Sequence, residues 1–219
     1  MNDKVNLSNR ENLFLAKKSL IENIYYTAKI EGINVTFPQI KTILDGVSVS
    51  DLDKVDEQKI LNLRNAWRFT INNIDHPFGL DYIKKINVFV AHNESIKWNV
   101  LGEGNVGILG EEHLMVIPMK NELITEMERI LNISSVTERA LTYMLWAMRR
   151  KLFREHNKGT SIISGNKILI EHGKGIVTIE EKNLMEFNER FSRFCVTNDY
   201  SHIIHFLYDK CIFGIDYND

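Results

Sequence analysis

A chain of 219 residues with 44% hydrophobic and 26% charged side chains is long enough to bury a sizeable core and too polar for a membrane protein. Its net charge of -2 and pI near 6.4 give no basic footprint for a phosphate backbone, which argues against nucleic acid as a partner. Residues 1–11 are polar and lack the apolar centre of a signal peptide, and no apolar run approaches a membrane span, so a cytoplasmic protein with no membrane partner is expected.

Leu13, Ala16, Leu20 and Ile24 step by three and four, the spacing of one helix face. Thr36, with Pro38 in the following turn, opens a helix over 36–45 that Gly46 ends. Ile60, Leu63, Trp67, Ile71 and Ile74 make the next stripe, and helices follow over 79–93, 120–132, 137–151 and 160–171, the last stopped by Gly173. Leu184, Phe187, Phe191 and Phe194, then Ile203, Leu207 and Cys211, complete the series as packing faces. Two stretches break this period. Residues 104–118 read as strand, turn and strand around Gly110, and residues 175–179 as a short extended piece. No repeat, low-complexity tract or linker divides the chain, so residues 1–219 are read as one domain. Cys195 and Cys211 fall in separate helical patterns without C-x-x-C spacing, which favours buried reduced thiols over a bridge or metal site.

One residue sits oddly. Continuing the first stripe at 100° per residue brings Thr27 and Glu31 to within about 40° of Leu13, which points a carboxylate toward the core. An unpaired buried charge costs several kcal/mol, so an inward Glu31 needs a partner. The other reading ends the helix near Lys29 and leaves Glu31 solvated in a turn beside Gly32.

Residues 27–34, Thr-Ala-Lys-Ile-Glu-Gly-Ile-Asn, resemble the inhibitory motif of the Fic family of protein adenylyltransferases. Residues 151–162, Lys-Leu-Phe-Arg-Glu-His-Asn-Lys-Gly-Thr-Ser-Ile, lie where that family carries H-x-F-x-D/E-G-N-G/K-R-x-x-R, with matches at Phe153, Glu155, Asn157 and Lys158. Residues 166–179 are similar to the text that follows this motif in bacterial members, and residues 104–110 to the flap that holds the target peptide. The likeness spans about residues 10–215.

The resemblance implies an all-α Fic fold of six to eight helices with a small β-hairpin flap at 104–118, an inhibitory helix at 10–34 and a degenerate catalytic loop at 151–162. It implies transfer of AMP from ATP to a hydroxyl of an unidentified protein target, and leaves a homodimer open. ATP contacts fall on Phe153, Asn157, Lys158, Gly159 and Thr160, and Mg²⁺ on Glu155. The regulatory motif comprises Thr27, Glu31 and Gly32, and the flap contacts are Gly104, Asn105, Val106 and Ile108.

The departures weigh against ordinary activity. Lys151 stands at the catalytic His position, His156 at the Gly of the anion-binding turn, Gly159 and Ile162 at the two Arg positions, and Gly102 where the flap has Arg. A lysine near pKa 10.4 is almost wholly protonated at neutral pH, and losing a general base costs about 10² to 10⁴ in rate. Each lost charge-assisted bond to a phosphate removes roughly 1.5–3 kcal/mol. An impaired or inactive scaffold that still binds nucleotide is therefore the leading expectation. Against it stand an active transferase using a desolvated Lys151 or His156 as base, and a module that holds a partner protein without nucleotide. With Ile162 unable to pair with Glu31, Lys151 or Arg154 is expected to take that role.

Other patterns are weaker. Gly102-Glu-Gly-Asn-Val-Gly107 satisfies G-x-G-x-x-G but runs into a hairpin pattern, not from strand to helix. His76-Pro-Phe78 mimics the start of the Fic signature inside a turn composition. His202, His205 and Asp209 lack a second ligand cluster for a metal, and the basic residues Arg149, Arg150, Lys151 and Arg154 read as local phosphate contacts or a solvated helix end.

Overall fold

The computed structural model describes residues 1–93 and 120–216. Ten helices and one pair of short strands make up those residues: α1 (Asn9–Lys18), α2 (Leu20–Ile30), α3 (Phe37–Leu44), α4 (Lys54–Asn72), α5 (Leu80–Val90), α6 (Lys120–Leu131), α7 (Val136–Arg150), α8 (Asn157–Glu171), β1 (Ile176–Val177), α9 (Glu181–Thr197), α10 (Ser201–Cys211) and β2 (Ile212–Phe213). The all-α expectation holds, with more helices than the six to eight expected. One reason is a break at Ser19, which divides the single N-terminal stripe into α1 and α2.

Local signals explain most boundaries. Ser8 and Glu11 form a capping box at α1, and Thr36 and Gln39 form another at α3 with Pro38 in its first turn. Gly46 and Gly173 follow the ends of α3 and α8, as the sequence suggests. The expected extended piece at 175–179 holds β1, which pairs antiparallel with β2 in the register Ile176 to Phe213 and Val177 to Ile212. The expected strands at 104–118 lie outside the described residues.

Helix α8 is the axis of the molecule. Every residue from Gly159 to Ile170 is buried, and α1, α2, α4, α5, α7 and β1 all pack on it. A helix covered on all sides has no solvent face, and its polar residues must find partners inside. Asn166 does so by donating to the Ile162 and Val177 carbonyls at 3.0 and 2.9 Å and accepting from the Val177 amide at 3.0 Å, which fixes β1. Lys167, fully buried, pairs with Glu171 at 2.7 Å and lies 5.3 Å from the centre of the Tyr82 ring.

The first residues are tied to distant parts of the chain. Asp3 accepts from the Thr137 amide at 2.8 Å, Lys4 donates to the Tyr208 and Asp209 carbonyls at 2.7 Å, and the Leu7 amide donates to the Gly173 carbonyl at 2.8 Å. The approach is close enough that a Cβ on Gly173, at φ 69°, would run into the Leu7 carbonyl. Cys195 is half-buried and Cys211 buried, both as free thiols.

Candidate functional site

The loop between α7 and α8 is bracketed by two non-glycine residues in left-handed conformation, Lys151 at φ 47° and His156 at φ 56°. At His156 this geometry explains why glycine is the ordinary choice for such a turn, a histidine there costing about 1–2 kcal/mol of backbone strain. The turn starts α8 at Asn157, three residues before the boundary expected from periodicity.

Asparagines hold the loop. The Phe153 amide donates to Asn157 Oδ1 at 2.8 Å, and Asn157 Nδ2 donates back to the Phe153 carbonyl at 2.7 Å. Asn87 on α5, itself buried, donates to the Glu155 carbonyl at 3.3 Å and to Thr160 Oγ1 at 3.2 Å. The side chain of Asn157 thus serves the loop backbone, and Phe153 is buried beneath it. Asn87 went unremarked in the sequence because a polar residue on an apolar helix stripe carries no local signal of what it meets.

Across from the loop, α2 ends in a Schellman motif: the Gly32 amide donates to the Lys29 carbonyl at 3.1 Å and the Ile33 amide to the Ala28 carbonyl at 3.0 Å. Gly32 takes φ 85°, which a side chain would strain, and this places Glu31 at the C-cap. The helix does end near Lys29, yet Glu31 is not solvated. Its side chain is 13% exposed, with Oε2 lying 3.2 Å from His156 Nδ1 and Oε1 accepting a hydrogen bond from the Gly159 amide.

The expected partners of Glu31, Lys151 and Arg154, are therefore replaced by His156 and a backbone amide. The physical reason lies in the helix: Gly159 is the third residue of α8, and its amide is among the orphan donors of a positive helix end. A carboxylate there satisfies the donor and interacts favourably with the dipole, by up to about 2 kcal/mol in partly buried geometry.

The remaining candidates separate into two groups. Thr27 is buried, donates to the Asn23 carbonyl at 2.6 Å and accepts from Trp67 Nε1 at 3.3 Å, so it ties α2 to α4. Ile162 is buried below the turn, and Thr160 is buried against Asn87. Lys151 and Lys158 are half-buried, while Arg154 and Glu155 are exposed. Burial draws the Lys151 ammonium below the usual lysine range; the nearby Cys195 opposes that shift and Lys158 adds to it. Of the basic cluster, Arg149 donates to the Cys195 carbonyl at 3.1 Å and Arg150 pairs with Glu126. The flap residues Gly104, Asn105, Val106 and Ile108 lie outside the described residues.

Glu155 is an exposed single carboxylate, and no group of three His, Cys, Asp or Glu able to hold a metal occurs among the described residues. Such a site suits Mg²⁺ only when phosphate oxygens complete the shell. His202, His205 and Asp209 are exposed on α10, and residues 76–78 lie within the loop between α4 and α5. No described helix is long and apolar enough to cross a membrane.

No protein-family model matches the chain, and no curated protein sequence matches it. Solved structures do. Fic-1 of C. elegans aligns over 92% of this chain and 68% of its own, with a TM-score of 0.73 at 15% identity. A Fic-domain signalling protein from Bacteroides thetaiotaomicron aligns over 93% of this chain and 86% of its own, at TM-score 0.74 and 13% identity. A Fic family protein from Desulfovibrio desulfuricans aligns over 89% of this chain and 62% of its own, at TM-score 0.70 and 13% identity. These superpositions run through nearly all of the helical core, and the chain has the Fic fold.

Proposed function

We propose that the chain is a Fic-type nucleotidyltransferase scaffold, impaired in catalysis, whose nucleotide-binding turn is occupied at rest by its own Glu31. In the ancestral reaction a hydroxyl oxygen of a protein target bonds to the α-phosphorus of ATP, pyrophosphate leaves, and a base takes the hydroxyl proton. The seat of Glu31 carries the reading: one carboxylate oxygen bonded to the Gly159 amide and the other beside His156 stand where a phosphate oxygen would meet the same helix end. ATP would lie along residues 153–160, with Lys158 beside it, Mg²⁺ held between Glu155 and phosphate oxygens, and the target peptide held by residues 104–118.

Impairment follows from position 151, where an ammonium cannot accept the proton, and from positions 159 and 162, where no guanidinium remains. Isothermal titration of ATP with Mg²⁺ into the Glu31→Ala protein tests the scaffold reading: heat of binding supports it, and none at millimolar nucleotide refutes it. Labelled ATP then tests impairment, with no transfer expected from the native chain and transfer expected from Lys151→His, Gly159→Arg, Ile162→Arg.

A second reading has one observation in its favour. The ammonium of Lys151 is drawn down by burial, with Cys195 opposing and Lys158 adding to the shift, and the net direction is the one a lysine base requires. Label transfer by the native chain that disappears in Lys151→Ala would favour this active form over the impaired one.

A further inference from the structure

We infer that α1 is a docking face for a second copy of this chain, which presents to it the acidic surface running from the end of α3 to the first turn of α4; the inference is independent of the nucleotide reading. Arg10, Phe14, Lys17 and Lys18 recur at the spacing of one helix face and all are exposed, while the opposite side of α1 buries Asn12, Leu15 and Ala16. Phe14 is 61% exposed, and none of the three cations has an acidic partner among the described residues. A single exposed phenyl ring is ordinary on a surface. Set among three unpaired cations, it has the make-up of an aromatic anchor within a charged rim.

The complement lies on the same molecule. Asp45, Asp51 and Asp53 are exposed together with Val47 and Val55, and no cation pairs with these three acids among the described residues. The segment is drawn into one surface by its own contacts: Ser48 donates to Glu57 at 2.8 Å, Lys54 donates to Ser48, and the Val49 amide donates to Glu57 at 2.7 Å. Val47 and Val55 are the chain neighbours of Ser48 and Lys54, so both flank that junction. Asp45 is the C-cap of α3, the negative end of that helix, where an incoming cation relieves the carboxylate. Six large apolar side chains are exposed among the described residues, and three of them, Phe14, Val47 and Val55, fall on these two faces. Cations and a ring on one face thus meet carboxylates and valines on the other. The faces differ, so the contact is head-to-tail and each chain offers one of each. An aromatic anchor with a few surface ion pairs makes a reversible, salt-sensitive association.

The test is sedimentation velocity of the whole chain from about 1 µM to about 1 mM. It is run at about 0.01 M and about 1 M salt, between which the screening length falls from roughly 30 to 3 Å. Association is expected at low salt and should weaken about tenfold or more at high salt. Phe14→Ser should weaken it by about tenfold at either salt concentration, the loss of one buried ring. The double variant Lys17→Glu, Lys18→Glu and the double variant Asp45→Lys, Asp51→Lys should each be monomeric, and an equal mixture of the two should associate again because the reversed faces match. Asp53 is left in place because it caps α4. Lys85→Glu, at an exposed position of α5, should change nothing. Thermal midpoints establish that every variant is folded, with Gln and Asn at the same positions in place of a reversal that is not. A native chain that stays monomeric at low salt overturns the proposal, as does association that survives either reversal. A mixture that fails to recover shows that these two faces do not meet, and overturns it too. A monomer retained by phosphatidylserine vesicles and released by Phe14→Ser overturns it in favour of an anionic membrane surface.

Discussion

A Cβ on Gly159 would lie 2.9 Å from Glu31 Oε1, closer than carbon and oxygen approach without one of them moving. The seat of Glu31 therefore exists because position 159 has no side chain. Gly159→Ala should push the carboxylate off the α8 amide. The lost charge-assisted bond costs roughly 1.5–3 kcal/mol, and alanine returns up to about 1 kcal/mol of helix propensity. A modest net destabilisation is expected in denaturant unfolding, together with faster exchange of the amide at position 159. Unchanged exchange at that amide would contradict the assignment. The same sterics mean that Gly159→Arg in the triple reversion also displaces Glu31.

Asn157→Ala should be a stability mutant before it is a binding mutant. It removes both bonds to Phe153, at 2.8 and 2.7 Å, for about 0.5–1.5 kcal/mol each. A lower urea midpoint with an unchanged slope is the expected outcome.

Thr27→Val keeps the shape and β-branching of the side chain while removing the acceptor of the Trp67 indole. The orphaned buried N–H costs about 1–3 kcal/mol, and the 3.3 Å separation places the loss at the lower end. A cycle with Trp67→Phe should recover part of it, since the second change removes the unpaired donor. Equal losses with and without the indole would place the role of Thr27 elsewhere.

Tyr25 ties α2 to α9 by donating to Glu181 at 2.5 Å, with Lys29 3.3 Å from the same carboxylate. Burial first, then the hydrogen bond and charge of Glu181, push its phenol up to about 12. A raised acid pKa favours the folded state while the phenol stays neutral in both states, so this contribution is complete below pH 10, the unfolded value. It is lost as pH rises from about 10 to about 12. Tyr25→Phe should flatten the fall in stability across that window, as read from thermal midpoints at stepped pH.

Helix periodicity was legible because burial on one face repeats along the chain, and the stops at Gly46 and Gly173 were legible because helix ends need left-handed backbone. The break at Ser19 was not, since the apolar stripe runs straight through it. Glu31 could be placed facing inward, but its partners could not be named. One is a main-chain amide, which every residue carries, and the other, His156, gains its position from a left-handed turn. Buried Lys167 escaped notice for a related reason: its partner Glu171 sits at the spacing of any exposed helical ion pair.

The stitching of residues 3–7 to α7, to the end of α10 and to Gly173 bears on how Glu31 can be uncovered. Lifting α1 and α2 away would tear those seams along with the Thr27–Trp67 contact, whereas rotating one glutamate about its own bonds disturbs none of them. On the proposed reading, the gate over the turn is a single side chain hinged on a fixed wall. Opening of that kind would leave the radius of the molecule unchanged, so scattering would be blind to it, and methods that watch individual nuclei are the ones to follow it.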